Sequence, residues 1–219
     1  MSEVTFSEEA LKFYSDMRNV NYSTDKYNLI KPIFHQEIKP TLFKLLQNLS
    51  TFLASEIPEL TFDPNEDLGS PFPNGQAAKY AWGAITRLGK TKHTDLQFYV
   101  AMRFDYLRFG IYASQKHATS AFGEIYRAIL NDTPQFLEHL ENLERKGITL
   151  TRMISNDETG KPQKLSLNPK FVADDLMRDG SFNVMTAIPL EELSGTNVFP
   201  SIADAFKELV PMYCFVLGL

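Results

Sequence analysis

The sequence predicts an α+β fold in which helices pack on an antiparallel β-meander. Three observations predict it: apolar residues at helical spacing near both ends, two segments of alternating apolar residues in the middle, and short links between those segments. We expect a single α+β domain over residues 1–219, with a helical part at 1–56, a loop at 57–78, and the sheet with further helices at 79–219.

Helical signals dominate the first 56 residues. Ser7, followed by two glutamates, predicts the start of a short helix that ends near Arg18. Pro32 and Pro40 are expected to interrupt the next helical region. An amphipathic helix should follow, with a buried stripe of Leu42, Leu45, Leu46, Leu49, Phe52 and Leu53. Residues 57–78 contain four prolines and two glycines, and this composition predicts the longest loop of the chain.

The middle of the chain reads as three strands, at 79–88, 96–104 and 107–113. Alternation of apolar and polar residues is strongest in the second and third strands, as expected for a half-buried sheet. A two-residue turn at Asp105-Tyr106 is predicted to join these two strands. The three strands should therefore form a meander.

Further elements follow the meander. The predicted helices lie at 119–130, 133–146 and 169–178, the predicted strands at 148–152 and 181–188, and a polar loop at 155–168. A last helix should begin near Ser201, and Pro211 is expected to kink or end it. The apolar final residues favour a chain that is the front piece of a longer protein; a tail packed on its own core is the alternative.

Composition and motifs exclude several classes of function. The single cysteine, Cys214, allows no internal disulfide and suits a reducing cytoplasm, and neither a secretory signal nor a membrane span is recognisable. The four histidines lack metal-ligand spacing, and neither GxxxxGK[ST] nor GxGxxG occurs. We therefore expect a cytoplasmic protein that works by binding, with no metal, no cofactor and no catalytic residues.

Charge is distributed unevenly along the chain. The net charge of −5 argues against binding nucleic acid through overall charge. From Lys79 to Arg127, however, the sequence contains eight Lys and Arg residues and only three acids. This stretch therefore carries a charge of +5 and the remainder a charge of −10. Such a basic middle can present a positive face to a partner. A chance cluster of solvated charges is the alternative.

The predicted hairpin places like charges together. With the turn at 105–106, Arg103 opposes Arg108 and Tyr99 opposes Tyr112, on the face away from the apolar stripe. Directly opposed arginines repel unless an acid or an anionic ligand lies between them. An open patch with cations at one end and aromatic rings at the other suits a phosphate and a stacked base. In the alternative, a helix covers this face and the arginines pair with its acids.

A basic loop next to the hairpin completes the predicted site. The predicted nucleic-acid contacts are Arg87, Lys90, Lys92, His93, Arg103 and Arg108, and the base-stacking candidates are Trp82, Tyr99 and Tyr112. Two further functions stay open. The chain could be an enzyme or small-ligand protein with a cryptic pocket in the hairpin region, where the arginines clamp a carboxylate or phosphate of a small anionic ligand. It could also be a protein-interaction domain.

The run KYAWGAITRLGKTKHTDLQFYVAMRFDYLRFGIYAS, at 79–114, resembles a segment in the N-terminal domains of McrB-like AAA+ proteins. The closing run IADAFKELVPMYCFVLGL is similar to the end of those domains. The resemblance implies recognition of modified or specific DNA in a restriction or antiphage defence system. It also implies a following AAA+ motor domain and a nuclease subunit as partners, with no catalysis in the N-terminal domain itself.

A second resemblance rests on the order of elements. FSEEALKFY near the start and LMRDGSFNVMTAIPLEEL near the end look like the bacterial family named domain of unknown function 2461. The R-D-x-R-F-S-K-D-K segment typical of that family is missing from this sequence. This resemblance implies no particular activity.

Overall fold

The structure, a computed structural model, describes residues 3–17, 31–65, 68, 80–103, 106–152, 163–164, 176 and 180–219. The helices are α1 (Glu8–Met17), α2 (Lys39–Leu53), α3 (Thr119–Asn131), α4 (Thr133–Glu144) and α5 (Phe199–Leu217). The strands are β1 (Leu60–Thr61), β2 (Tyr80–Arg87), β3 (Gln97–Arg103), β4 (Tyr106–Ser114), β5 (Thr149–Arg152), β6 (Gln163–Lys164) and β7 (Ser181–Pro189). The predicted α+β fold with an antiparallel meander is confirmed.

The strands form a sheet in the order β1-β2-β3-β4-β7-β5-β6, with every pair antiparallel. Strands β2, β3 and β4 lie side by side because short links join them. Strand β7 pairs with β4 although α3, α4, β5 and β6 lie between them in sequence. Two predicted loops contain strand residues, since β1 lies within 57–78 and β6 within 155–168. Of the predicted helix at 169–178, only Leu176 lies within the described residues.

The register of the β3–β4 hairpin differs from the predicted one. The observed ladder pairs Arg103 with Tyr106, Ala101 with Arg108 and Tyr99 with Gly110, which shifts the pairing by two residues. Because side chains alternate with a period of two, every residue keeps its predicted face. Arg108 now opposes the small Ala101 instead of Arg103. The shift thereby avoids a direct pairing of like charges.

Helix α5 lies at the centre of the hydrophobic core, in contact with α2, α3, α4 and β4. Phe206 on α5 packs on Phe98 and Phe109 of the sheet, with ring centroids 5.1 and 6.4 Å apart. Two helical turns further on, Tyr213 stacks on Phe98 at 4.8 Å and donates a hydrogen bond to the carbonyl oxygen of Leu96. The sheet therefore has one face that is covered by helices, called here the helix face.

Two prolines lie within continuous helical segments, although Pro40 was expected to interrupt one and Pro211 to kink or end the other. Before Pro40, a π-helical turn at Phe34–Ile38 leads directly into α2, and the Lys39 amide donates to the carbonyl oxygen of Phe34. This wider turn accommodates a residue that lacks an amide hydrogen. Helix α5 likewise continues through Pro211 to Leu217, and Pro211 lies on its exposed side, where water can solvate the unbonded carbonyl.

The C-terminal helix packs on the core of the domain. Val216 is buried, and Phe215 stacks on Phe136 of α4 with ring centroids 6.4 Å apart. At the other end of α5, the N-terminal segment is tied to the helix start. The amide of Val4 donates to the side-chain oxygen of Asn197, and the amide of Val198 donates to the carbonyl of Val4.

Candidate nucleic-acid interface

The face of the sheet opposite the helices, called here the far face, carries Tyr99, Arg108 and Asn183. The predicted open patch lies here, and the structure contradicts it. Tyr99 and Arg108 are each only 6% exposed, and Asn183 is 1% exposed. Arg103, Arg108 and Tyr112 all interact with other groups of the protein. Because the centre of the far face is buried, it cannot serve as an open floor for a phosphate and a base.

Hydrogen bonds explain how polar side chains are accommodated on this buried face. The Tyr99 hydroxyl donates to Oδ1 of Asn183 at 3.0 Å, and Nδ2 of Asn183 donates to Oγ1 of Thr151 at 2.8 Å. Burial raises the pKa of Tyr99 above its usual range. Tyr112, which is partly exposed, meets the Tyr99 ring edge-on at 6.2 Å. The buried Tyr99 is therefore part of a structural network and cannot stack on a base, whereas the ring of Tyr112 stays partly exposed beside it.

Arg87, at the end of β2, holds a buried carboxylate. Its Nη2 lies 2.5 Å from Oδ1 of Asp95, and its backbone amide donates to Oδ2 of the same carboxylate at 3.0 Å. Asp95 is fully buried, and a third group, Glu124 Oε2, lies 3.7 Å from Nη2. The hydrogen bond to Asp95 is the main cause that raises the pKa of Arg87. Arg87 therefore joins the end of β2 to the start of β3 through Asp95, and its main role is structural.

Trp82, the last of the stacking candidates, lies on β2 and is partly exposed. The ammonium nitrogen of Lys92 lies over its ring, 5.6 Å from the centroid, which is a cation–π geometry. The loop before β3 therefore folds back toward the far face. Gln97 supports this arrangement, since its amide nitrogen donates to the carbonyl oxygen of Lys92 at 3.1 Å.

Two Lys-His pairs meet at one end of the sheet. Lys92-His93 precedes β3, and Lys116-His117 follows β4. The two imidazole rings have centroids 5.8 Å apart, which brings together connections that are 24 positions apart in sequence. Lys90, in the β2–β3 turn, is exposed, as are Lys116 and both histidines. We call Lys90, Lys92, His93, Lys116 and His117 the basic end.

The charge of the basic end is positive because its nearest buried acid is already engaged. Asp95 is held by Arg87, so this pair adds no net charge. The other charges counted here are those of Lys90, Lys92 and Lys116 and of two acids, Glu59 and Glu124. The backbone carbonyl of Glu59 accepts a hydrogen bond from the Leu88 amide, and Glu124 lies near Arg87. With the histidines taken as neutral, the sum is +1. The surface therefore favours an anionic partner.

The structure thus divides the predicted site residues. Lys90, Lys92 and His93 lie together in the β2–β3 turn, whereas Arg87 and Arg108 are in structural positions. Sequence reasoning missed Lys116 and His117. The signal was available: in an antiparallel hairpin the start of one strand and the end of the next share an edge, so the two Lys-His pairs had to be neighbours.

The histidines, cysteine and acids of the described residues form no group of three that could hold a metal ion. In the described part of the chain, every helix is too short or too polar to cross a lipid bilayer. No protein-family model matches this chain, and no curated protein matches it.

Proposed function

We propose that this chain is a DNA-recognition module of a restriction or antiphage system, and that it contacts the phosphate backbone through the basic end. One observation supports the proposal most directly. The contact between His93 and His117 brings two lysine-bearing loops onto one surface, and the buried carboxylate of Asp95 is paired with Arg87. Lysines grouped in this way bind phosphates by displacing counterions.

The proposed site differs from the one expected from sequence. The buried Arg108 and Tyr99 are excluded as contacts, and the exposed turn and the loop after β4 take their place. A double change of Arg103 and Arg108 to alanine would not test this site cleanly, because removing the buried Arg108 also disturbs the far face.

Partners follow from the resemblance of residues 79–114 to the N-terminal domains of McrB-like proteins. These residues form β2, β3, β4 and the turn that carries most of the basic end. The proposal gives this chain the recognition step alone. It assigns nucleotide hydrolysis to an AAA+ motor and strand cleavage to a nuclease subunit.

Fluorescence anisotropy with a labelled duplex, with and without modified cytosine, tests the proposal. We expect micromolar binding at about 50 mM salt, with a salt dependence that corresponds to roughly three phosphate contacts. The triple variant Lys90→Gln, Lys92→Gln and Lys116→Gln should lose most of the affinity, and its log–log slope should fall by about 3.

The matched control removes three exposed lysines from elsewhere, through Lys39→Gln, Lys44→Gln and Lys207→Gln. Both triple variants change the net charge equally. Equal losses in the two variants would mean that only overall charge matters, and the proposed site would be rejected. A wild-type chain that binds no duplex at low salt would reject DNA recognition itself.

A further inference from the structure

An open cleft of about 540 Å³ lies on the helix face, at the end of the sheet opposite the basic end. The pairing of β4 with β7 fixes this location: Ser114 pairs with Ser181 at the basic end, and Tyr106 pairs with Pro189 at the other. The floor of the cleft includes Phe109 and Ile188. Its volume falls in the range of small-molecule sites, about 300–1,000 Å³.

Short side chains keep the cleft open. Thr186 on β7, together with Ser201 and Ala205 on α5, line it where larger residues would fill the space between sheet and helix. One pair further along the same strands, Ile111 and Val184 are completely buried in the core. The cleft is thus a local opening at the edge of a well-packed face, with an apolar floor that is ready to contact a hydrocarbon or aromatic group.

The rim of the cleft is acidic. Glu192, Asp204 and Glu208 line it, and Lys146 is the one cation among its described lining residues. Lys146 forms an ion pair with Glu208. The carboxylates of Glu192 and Asp204 form no ion pair with the described part of the chain, so the rim keeps a formal charge of −2. Anionic ligands such as nucleotides are disfavoured here, and cations are favoured.

We propose that this cleft is a binding site for a small organic amine, a molecule that joins a protonated amino group to an apolar body. The apolar part would lie on Phe109 and Ile188, and the ammonium would contact the carboxylates of Glu192 and Asp204. This activity is separate from DNA recognition, because it uses the opposite end of the sheet and the opposite charge.

The test uses three compounds of similar shape: 2-phenylethylamine, the neutral 2-phenylethanol and the anionic 3-phenylpropionate. Binding is followed by chemical-shift changes in the two-dimensional NMR spectrum of the full chain. We expect the amine to bind with a dissociation constant below about 1 mM and at least about tenfold more tightly than the alcohol. The carboxylate should not bind, and the shifts should map to the segments around Thr186, Glu192 and Asp204.

Two variants locate the site. The pair Glu192→Gln and Asp204→Asn should weaken amine binding at least about tenfold, whereas Glu191→Gln, an exposed neighbour outside the cleft, should leave it unchanged. Ser201→Trp, at an exposed lining position, should block the cleft while the acids remain. Melting temperatures confirm that each variant is folded.

Three results would overturn the proposal: no amine binding at millimolar concentration, equal binding of amine and alcohol, or unchanged binding in the Glu192→Gln, Asp204→Asn variant. The DNA-recognition proposal is independent of all three. The triple lysine variant of the basic end should bind the amine as the wild type does.

Discussion

The two ends of the sheet differ in charge and in how their charged groups are held. At the basic end, a buried Asp95 is bound by Arg87, and the exposed lysines stand outside this pair. At the cleft, the ion pair between Lys146 and Glu208 is about half exposed, and two acids remain beside it. The difference shows that a net charge of −5 describes neither end. The charged groups that stabilise the fold, Arg87 and Asp95, are therefore distinct from those that are available to ligands.

The largest expected effect concerns the buried ion pair of the basic end. Asp95→Ala removes the acceptor for the backbone amide and the guanidinium of Arg87, and leaves that cation largely buried. We expect the free energy of unfolding to fall by about 3 kcal/mol. Urea denaturation measures it. Glu124→Gln, which removes only the distant partner at 3.7 Å, should cost less than about 1 kcal/mol; comparable losses in the two variants would contradict the structural role of Asp95.

The next effect tests whether the two ends bind different ligands. In duplex binding at low salt, the triple lysine-to-glutamine variant of the basic end should lose about 30-fold or more in affinity. The Glu192→Gln, Asp204→Asn variant of the cleft should change duplex affinity by less than about threefold, since its charges lie at the other end of the sheet. If the cleft variant gains as much affinity as the lysine variant loses, overall charge and not location decides binding.

A smaller effect tests the close packing of the strands that join the two ends. Gly110 lies in β4, and a Cβ atom there would stand 2.7 Å from Cα of Met185 and against the carbonyl oxygen of Val184. Gly110→Ala should therefore lower the free energy of unfolding by about 1–3 kcal/mol. Gly123→Ala, in α3 with open space around the new methyl group, should raise it by about 0.5–1 kcal/mol. Thermal or urea unfolding of both variants shows whether the signs are opposite.

The smallest effect is expected at the exposed ion pair of the cleft. Glu208→Gln breaks the pair with Lys146, and both side chains are about half exposed. Solvent screening should limit the cost to less than about 1 kcal/mol in urea denaturation. If Glu208→Gln lowered the free energy of unfolding as much as Asp95→Ala does, the two ion pairs would not differ in their contribution to stability.

Much of the fold could be predicted from local patterns. Alternation of apolar residues located β3 and β4, and helical spacing located α2 and α3, because these signals depend only on the neighbouring residues. The short strands β1 and β6 could not be predicted in this way. They consist of two residues each, and only their pairing with β2 and β5 defines them.

The candidate site was harder to predict because it depends on packing between distant segments. The two-residue shift in the β3–β4 pairing changed which side chain opposes Arg108. No local pattern showed that the far face would be buried, since its Tyr, Arg and Asn residues look like those of a solvated face. The connection between β2 and β3, which carries Lys90 and Lys92, was predicted correctly as a turn. Their neighbours Lys116 and His117 required the strand topology.

Hydrogen-exchange mass spectrometry of the full chain, with and without saturating duplex DNA at low salt, tests the central claim most directly. The account predicts slower exchange in the two connections of the basic end, at 88–96 and 115–118, and unchanged exchange at 190–208 around the cleft. Protection at 190–208 without protection at the basic end would contradict the assignment of DNA binding to the exposed lysines.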